Sequence, residues 1–307
     1  MPQASALTRL VASGIAAGVL LCSCGQPPSP PASSAVSTVP APTATAGGPI
    51  AAGGPVAAGG PVAAAKGPAP AGAALAAGPG AAGGAASGYI PRGADPEALP
   101  PGTVIRNPAS GRDEVAVPDL RHTALLIGDS QSEPADGWPR LGLAAVGYKV
   151  HFCGLGGTGF VAANGKTGNY IDALERGDWK LPYGTPALIV IQGGGNDAAR
   201  GATDAQIVAN ADRLIGALKN RYPGTRLAII GTLARGSNYG GGRRTQIDAL
   251  LGALAARHGL PFVSVGDWLT KYNLTKDLAD AVHMNAAGRK TLGTLLGDKL
   301  RKLNLQL

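Results

Sequence analysis

Four short clusters hold the residues best suited to covalent chemistry. The first is Gly128-Asp129-Ser130-Gln131-Ser132. A serine hydroxyl is a weak nucleophile at neutral pH and needs a base within hydrogen-bond reach to take its proton. By itself Gly-Asp-Ser serves equally well as a helix cap, and Ser at position 132 excludes the Gly-x-Ser-x-Gly elbow. The second cluster is Gly154-Leu155-Gly156-Gly157-Thr158-Gly159. Its glycines let the chain turn and bring backbone N–H groups close to a ligand. No Lys-Ser/Thr follows, so it is not a P-loop. The third cluster, Gly193-Gly194-Gly195-Asn196-Asp197, offers an amide donor or an ordinary turn. The fourth is Asp280-Ala281-Val282-His283. A carboxylate three residues before a histidine can orient the imidazole and stabilise it when protonated.

The elements that must position these clusters are legible as apolar runs. Five recur at 123–127, 149–153, 187–191, 226–230 and 261–265. Most are continuously apolar rather than alternating, as expected of strands buried on both faces of a parallel sheet. Helical patterns lie between them. Over 204–222, Ile207, Ala211, Leu214, Ile215, Leu218 and Tyr222 share one face, Thr203 and Gln206 form a capping box, and Pro223-Gly224 ends the helix. Further helices are predicted over 243–258 and 285–303, the last with Leu292, Leu295, Leu296, Leu300 and Leu303 on its apolar face. Strands alternating with helices predict an α/β class domain, a three-layer doubly wound sheet of about five parallel strands. In such sheets ligands bind beyond the carboxyl ends of the strands. Each of the four clusters follows a predicted strand. Of the four histidines, His122 precedes the first strand, His151 lies within the second and His258 ends a helix. Only His283 follows a strand end with an acid in reach.

The order Gly-Asp-Ser, Gly-rich loop, Gly-x-Asn-Asp and Asp-x-x-His resembles the SGNH (GDSL-like) hydrolase superfamily over roughly residues 120–307. The resemblance implies a flavodoxin-like SGNH hydrolase fold and a serine esterase activity. By it Ser130 is the nucleophile, His283 the general base and Asp280 its orienting acid. The oxyanion hole comprises the Ser130 N–H, Gly157 and Asn196, with Gly156 the neighbouring alternative to Gly157. No cofactor or metal is implied. The partner is an ester-bearing small molecule, lipid or acylated glycan. Transfer of the acyl group to a sugar hydroxyl, or deacetylation of an envelope glycan, uses the same serine chemistry. A reading from another class is a non-catalytic envelope-binding lipoprotein that retains the fold.

The remainder of the chain is organised differently. Arg9 and the apolar stretch from Leu10 to Leu21 read as an export signal, too short for a transmembrane helix, which needs about 20 apolar residues. Leu21-Cys22-Ser23-Cys24 resembles a bacterial lipobox, so residues 1–24 are expected to be a signal peptide with Cys24 lipidated. This places the protein outside the cell on a membrane anchor; an ordinary secretory signal is the alternative. Residues 25–88 are almost entirely small or Pro, with three tandem copies of Gly-Gly-Pro-Ile/Val-Ala-Ala from Gly47 to Ala64. Such a stretch cannot build a core and reads as a disordered linker. Residues 89–119 are expected to form an extended arm. The loop 160–186 is expected to shape the substrate site, with Trp179 and Tyr183 either lining it or packing inside. The net charge of +8 is spread without runs, which gives no nucleic-acid footprint. After Cys24 the only cysteine is Cys153, so there is no disulfide framework.

Overall fold

The computed structural model describes residue 95 and residues 98–307. The expected signal peptide 1–24 with Cys24, the linker 25–88 and the opening of the arm lie outside the described residues.

Five parallel strands make the central sheet: β3 (Thr123–Gly128), β4 (Lys149–Gly154), β5 (Leu188–Gln192), β6 (Leu227–Ile230) and β7 (Phe262–Val263). Their order across the sheet is β4-β3-β5-β6-β7, the flavodoxin-like doubly wound order. The register pairs Ile127 with Cys153 on one side and with Ile191 on the other. Every residue of β3 and β5 is buried, and alternate side chains enter two separate cores. Leu125, Ile127, Ile189, Ile191 and Ile229 face one cluster, whereas Ala124, Leu126, Leu188, Val190 and Ile230 face the other. Burial on both faces is why these runs are continuously apolar.

The first core is closed by α2 (Tyr170–Arg176), α4 (Asp204–Arg221) and α5 (Gly242–Arg257), and the second by α1 (Trp138–Ala144), α6 (Trp268–Lys271) and α7 (Ala286–Lys302). The predicted capping box of α4 is present, with the Gln206 N–H donating to Thr203 Oγ1 at 3.2 Å and the Thr203 N–H to Gln206 Oε1 at 3.0 Å. Helices α1 and α7 approach closely at Gly142 and Gly293. A Cβ at Gly142 would lie 2.5 Å from Leu296, and one at Gly293 2.6 Å from Leu141. Leu303, expected on the apolar face, sits past the end of α7 and is exposed.

Two elements depart from the sequence pattern. Strand β7 is only two residues long because the chain beyond it bonds elsewhere. The buried Asp248 of α5 accepts from the Thr232 and Val265 N–H groups at 3.0 and 3.1 Å and from Ser264 Oγ at 2.5 Å. In the stretch expected as an extended arm, β1 (Val104–Asn107) and β2 (Arg112–Val115) form an antiparallel hairpin. Its buried Glu114 accepts from Arg221 of α4 and, at 2.9 Å, from Asn107 Nδ2. The Val115 N–H donates to the Leu181 carbonyl at 2.9 Å. The loop after β4 contains α2, and Trp179 is buried against Tyr170 with ring centroids 6.4 Å apart, so this side chain packs in the core.

Candidate active site

The carboxyl ends of β3, β4 and β5 and the loop before α7 bring the four clusters to one edge of the sheet. Directly after β3 the chain enters a tight turn. The Ser132 and Glu133 N–H groups both donate to the Asp129 carbonyl, at 2.9 and 3.0 Å. The Asp129 carboxylate accepts from the Gln131 N–H at 3.0 Å, which leaves Ser130 at the apex. Asp129 is buried, and loss of solvent raises its pKa to about 6, against the lowering effect of the Gln131 N–H and the Arg244 charge. Beside it, the Gln192 amide satisfies all its neighbours when its NH₂ faces Asp129 Oδ1 at 3.3 Å and Ser132 Oγ at 2.6 Å.

The Asp280–His283 turn is a rigid local unit. Asp280 Oδ1 accepts from the Val282 and His283 N–H groups at 2.8 and 2.7 Å, and Oδ2 lies 2.8 Å from His283 Nδ1. These backbone donors, with the imidazole, hold the Asp280 carboxyl well below the usual carboxylate range. Asp280 is therefore an ionised, acceptor-only group, and Nδ1 must carry the proton. Nε2 is left with a lone pair, and Ser130 Oγ lies 2.8 Å from it. Asn285 caps α7 directly downstream, accepting from the Gly288 N–H at 2.9 Å. A separate tie joins this turn to the serine loop. Gln131 Nε2 donates to the Val282 carbonyl at 2.9 Å, while Gln131 Oε1 accepts from the buried Trp138 Nε1 at 3.0 Å.

The glycine loop packs against the serine, since a Cβ at Gly156 would lie 3.4 Å from Ser130 Cβ. The Gly156 N–H is already engaged, donating to Glu133 Oε2 at 2.7 Å. Gly157, with φ of 81°, makes no backbone N–H hydrogen bond among the described residues. Asn196, in the short helix α3 (Gly195–Ala199), donates from Nδ2 to the Thr158 carbonyl at 2.9 Å. The second Nδ2 hydrogen remains available.

Sequence reasoning did not single out three contributors. Asp197 is fully buried and accepts from the Phe160, Val161 and Ala162 N–H groups at 2.8–3.0 Å, so it clasps the loop that follows the glycines. Its position in Gly-x-Asn-Asp was the available signal. Gln131 and Glu133 carried no signal beyond lying within three residues of Ser130. His151, by contrast, is a half-buried group away from these residues whose Nε2 lies 3.0 Å from the Lys180 carbonyl, and burial lowers its pKa. A cavity of about 370 Å³ opens beside Ser130 and His283, walled by Glu133, Pro134, Met284 and Arg289.

Residues 124–291 match the GDSL-like Lipase/Acylhydrolase family. A stretch of 143 residues is 32% identical to Esterase TesA of Pseudomonas aeruginosa and covers 44% of this chain and 66% of that protein, just under two thirds of its length. Among solved structures, a member of the lipolytic protein G-D-S-L family from Veillonella parvula superposes with a TM-score of 0.45 at 18% identity, over 60% of this chain and 99% of that one. A family two carbohydrate esterase from Clostridium thermocellum superposes with a TM-score of 0.47 at 14% identity, over 63% of this chain and 68% of that one.

Proposed function

The chain belongs to the GDSL-like lipase/acylhydrolase family, and from that premise we propose that it is a serine esterase working through Ser130, His283 and Asp280. The observation that carries this reading is the Ser130 Oγ to His283 Nε2 contact of 2.8 Å, with Nδ1 bound to an ionised Asp280. His283 Nε2 takes the hydroxyl proton as Ser130 Oγ bonds to the ester carbonyl carbon. The carbonyl π electrons move to oxygen, giving a tetrahedral oxyanion. Collapse breaks the bond to the alcohol oxygen, which receives the proton from Nε2. Water then repeats the sequence on the acyl-enzyme and releases the acid.

The oxyanion is assigned to the Ser130 N–H, the Gly157 N–H and the second Asn196 Nδ2 hydrogen. Gly157 is preferred to Gly156 because Glu133 already occupies the Gly156 N–H. Removing one such donor costs about 3–4 kcal/mol of transition-state stabilisation in other serine hydrolases.

The test is turnover of a short p-nitrophenyl ester together with labelling by a fluorophosphonate. Ser130→Ala should lose labelling and about 10⁴-fold or more of kcat with an unchanged far-UV circular dichroism spectrum. Retained turnover in that variant refutes the assignment. An export leader ending in a lipidated Cys24, with residues 25–88 as a tether for the domain, belongs to the same proposal and rests on the sequence alone. Incorporation of labelled palmitate in cells, abolished by Cys24→Ala, is its expected signature.

A further inference from the structure

Glu133 is not used in the chemistry above, yet it is an exposed charged group on the nucleophile's own loop. Its Oε2 accepts from the Gly156 N–H at 2.7 Å. A methyl placed on Gly156 would lie 2.9 Å from that oxygen and 3.4 Å from Ser130 Cβ, so the carboxylate and the nucleophile flank the same backbone unit. Its other oxygen, Oε1, has no hydrogen-bond or ion-pair partner among the described residues. Of the surrounding cations, Arg140 is attracted by the Glu133 charge without pairing with the carboxylate. Arg140 donates to the Ser132 and Glu133 carbonyls at 2.6 and 2.9 Å. Arg289 is bound to Asp136 at 2.6 Å and to the Met284 carbonyl at 2.9 Å. Glu133 thus presents an open, fixed acceptor to the cavity beside Ser130, whose other walls include the exposed Pro134, while the Met284 side chain is packed into the second core.

Resting on the esterase reading, we propose that Glu133 is a specificity-determining residue that selects esters of polyhydroxylated alcohols. A polyol presents both features this wall can receive: hydroxyl donors for the carboxylate and a C–H face for Pro134. An O–H donating to a carboxylate is roughly twice as strong as a neutral hydrogen bond. An anionic substituent in the same cavity meets like charge.

The experiment compares the full chain with its Glu133→Gln variant on glycerol monoacetate, p-nitrophenyl acetate and mono-p-nitrophenyl succinate. Glutamine keeps an acceptor for the Gly156 N–H, but turns the open oxygen into an NH₂ donor, so both the charge and the free acceptor are lost. The ratio of kcat/KM for glycerol monoacetate over p-nitrophenyl acetate should fall about tenfold. The ratio for the succinate over p-nitrophenyl acetate should rise about threefold, as like-charge repulsion is removed. Ratios unchanged within twofold overturn the proposal. Binding of glycerol monoacetate to Ser130→Ala, with and without Glu133→Gln, is read by calorimetry as a separate arm. Binding that weakens about fivefold with Glu133→Gln supports the recognition role even if the wild type shows no turnover, an outcome that would defeat the esterase reading alone. Binding insensitive to residue 133 counts against the role.

Discussion

Replacing Asp280 by asparagine should be more damaging than replacing it by alanine, although asparagine is the closer mimic. Oδ1 of Asp280 accepts two backbone N–H groups, at 2.8 and 2.7 Å, while Oδ2 faces His283 Nδ1 at 2.8 Å. An asparagine must keep its carbonyl oxygen on the two backbone donors, because the opposite orientation would set an NH₂ against two N–H groups. Its NH₂ then faces Nδ1 and requires a lone pair there. The ring proton is driven to Nε2, the atom that must accept from Ser130. The analogous change in a serine protease lowers kcat about 10⁴-fold, and a loss of that order is expected here. With Asp280→Ala, the Nδ1–H is left to water, since the imidazole is 40% exposed, and the productive tautomer persists. That variant should lose about 10²-fold, a positioning effect. The assays are kcat on p-nitrophenyl acetate and the tautomer of His283 from its ring ¹⁵N shifts. An asparagine variant within tenfold of wild type, or more active than the alanine variant, refutes the tautomer argument.

If the proposed oxyanion hole holds, Asn196→Ala should lower kcat about 10²–10³-fold, the cost of one such donor. Because Asn196 also holds the Thr158 carbonyl at 2.9 Å, a thermal melt of the variant is needed to separate this from loosening of the loop. Asp129 predicts a pH dependence of stability. Its folded pKa is raised by burial from 3.8 to about 6, so the fold binds this proton more tightly than the unfolded chain. Its contribution is complete below about pH 4 and is lost as pH rises through about 6, on the order of 3 kcal/mol in total. Urea midpoints should therefore carry a falling component between pH 4 and 7 that disappears in Asp129→Asn; identical pH profiles for the two proteins would refute it.

Sequence alone determined the central strands, the long helices and the order of the four clusters along them. Continuous apolar runs at 123–127 and 187–191 encode burial on both faces, because a strand between two helical layers has no solvent side. The 3.6-residue spacing over 204–222 and the Thr203/Gln206 box set α4, since both are interactions within a few residues. The Asp280–His283 turn is equally local, with every hydrogen bond inside it spanning two or three residues. What only the tertiary structure decided are contacts between segments distant in the chain. The Gln131 to Val282 bond joins residues 151 positions apart, Asp197 clasps a loop 35 or more residues upstream, and Glu114 finds its arginine 107 residues later. The distinction between Gly156 and Gly157 on which the proposed oxyanion hole rests is of this kind. Both are glycines in one loop with identical local chemistry, and the difference arises because the fold brings the Glu133 carboxylate onto one of their N–H groups. Short-range patterns record backbone preference and burial, whereas a hydrogen bond across the sheet edge depends on where packing places two side chains that share no periodicity.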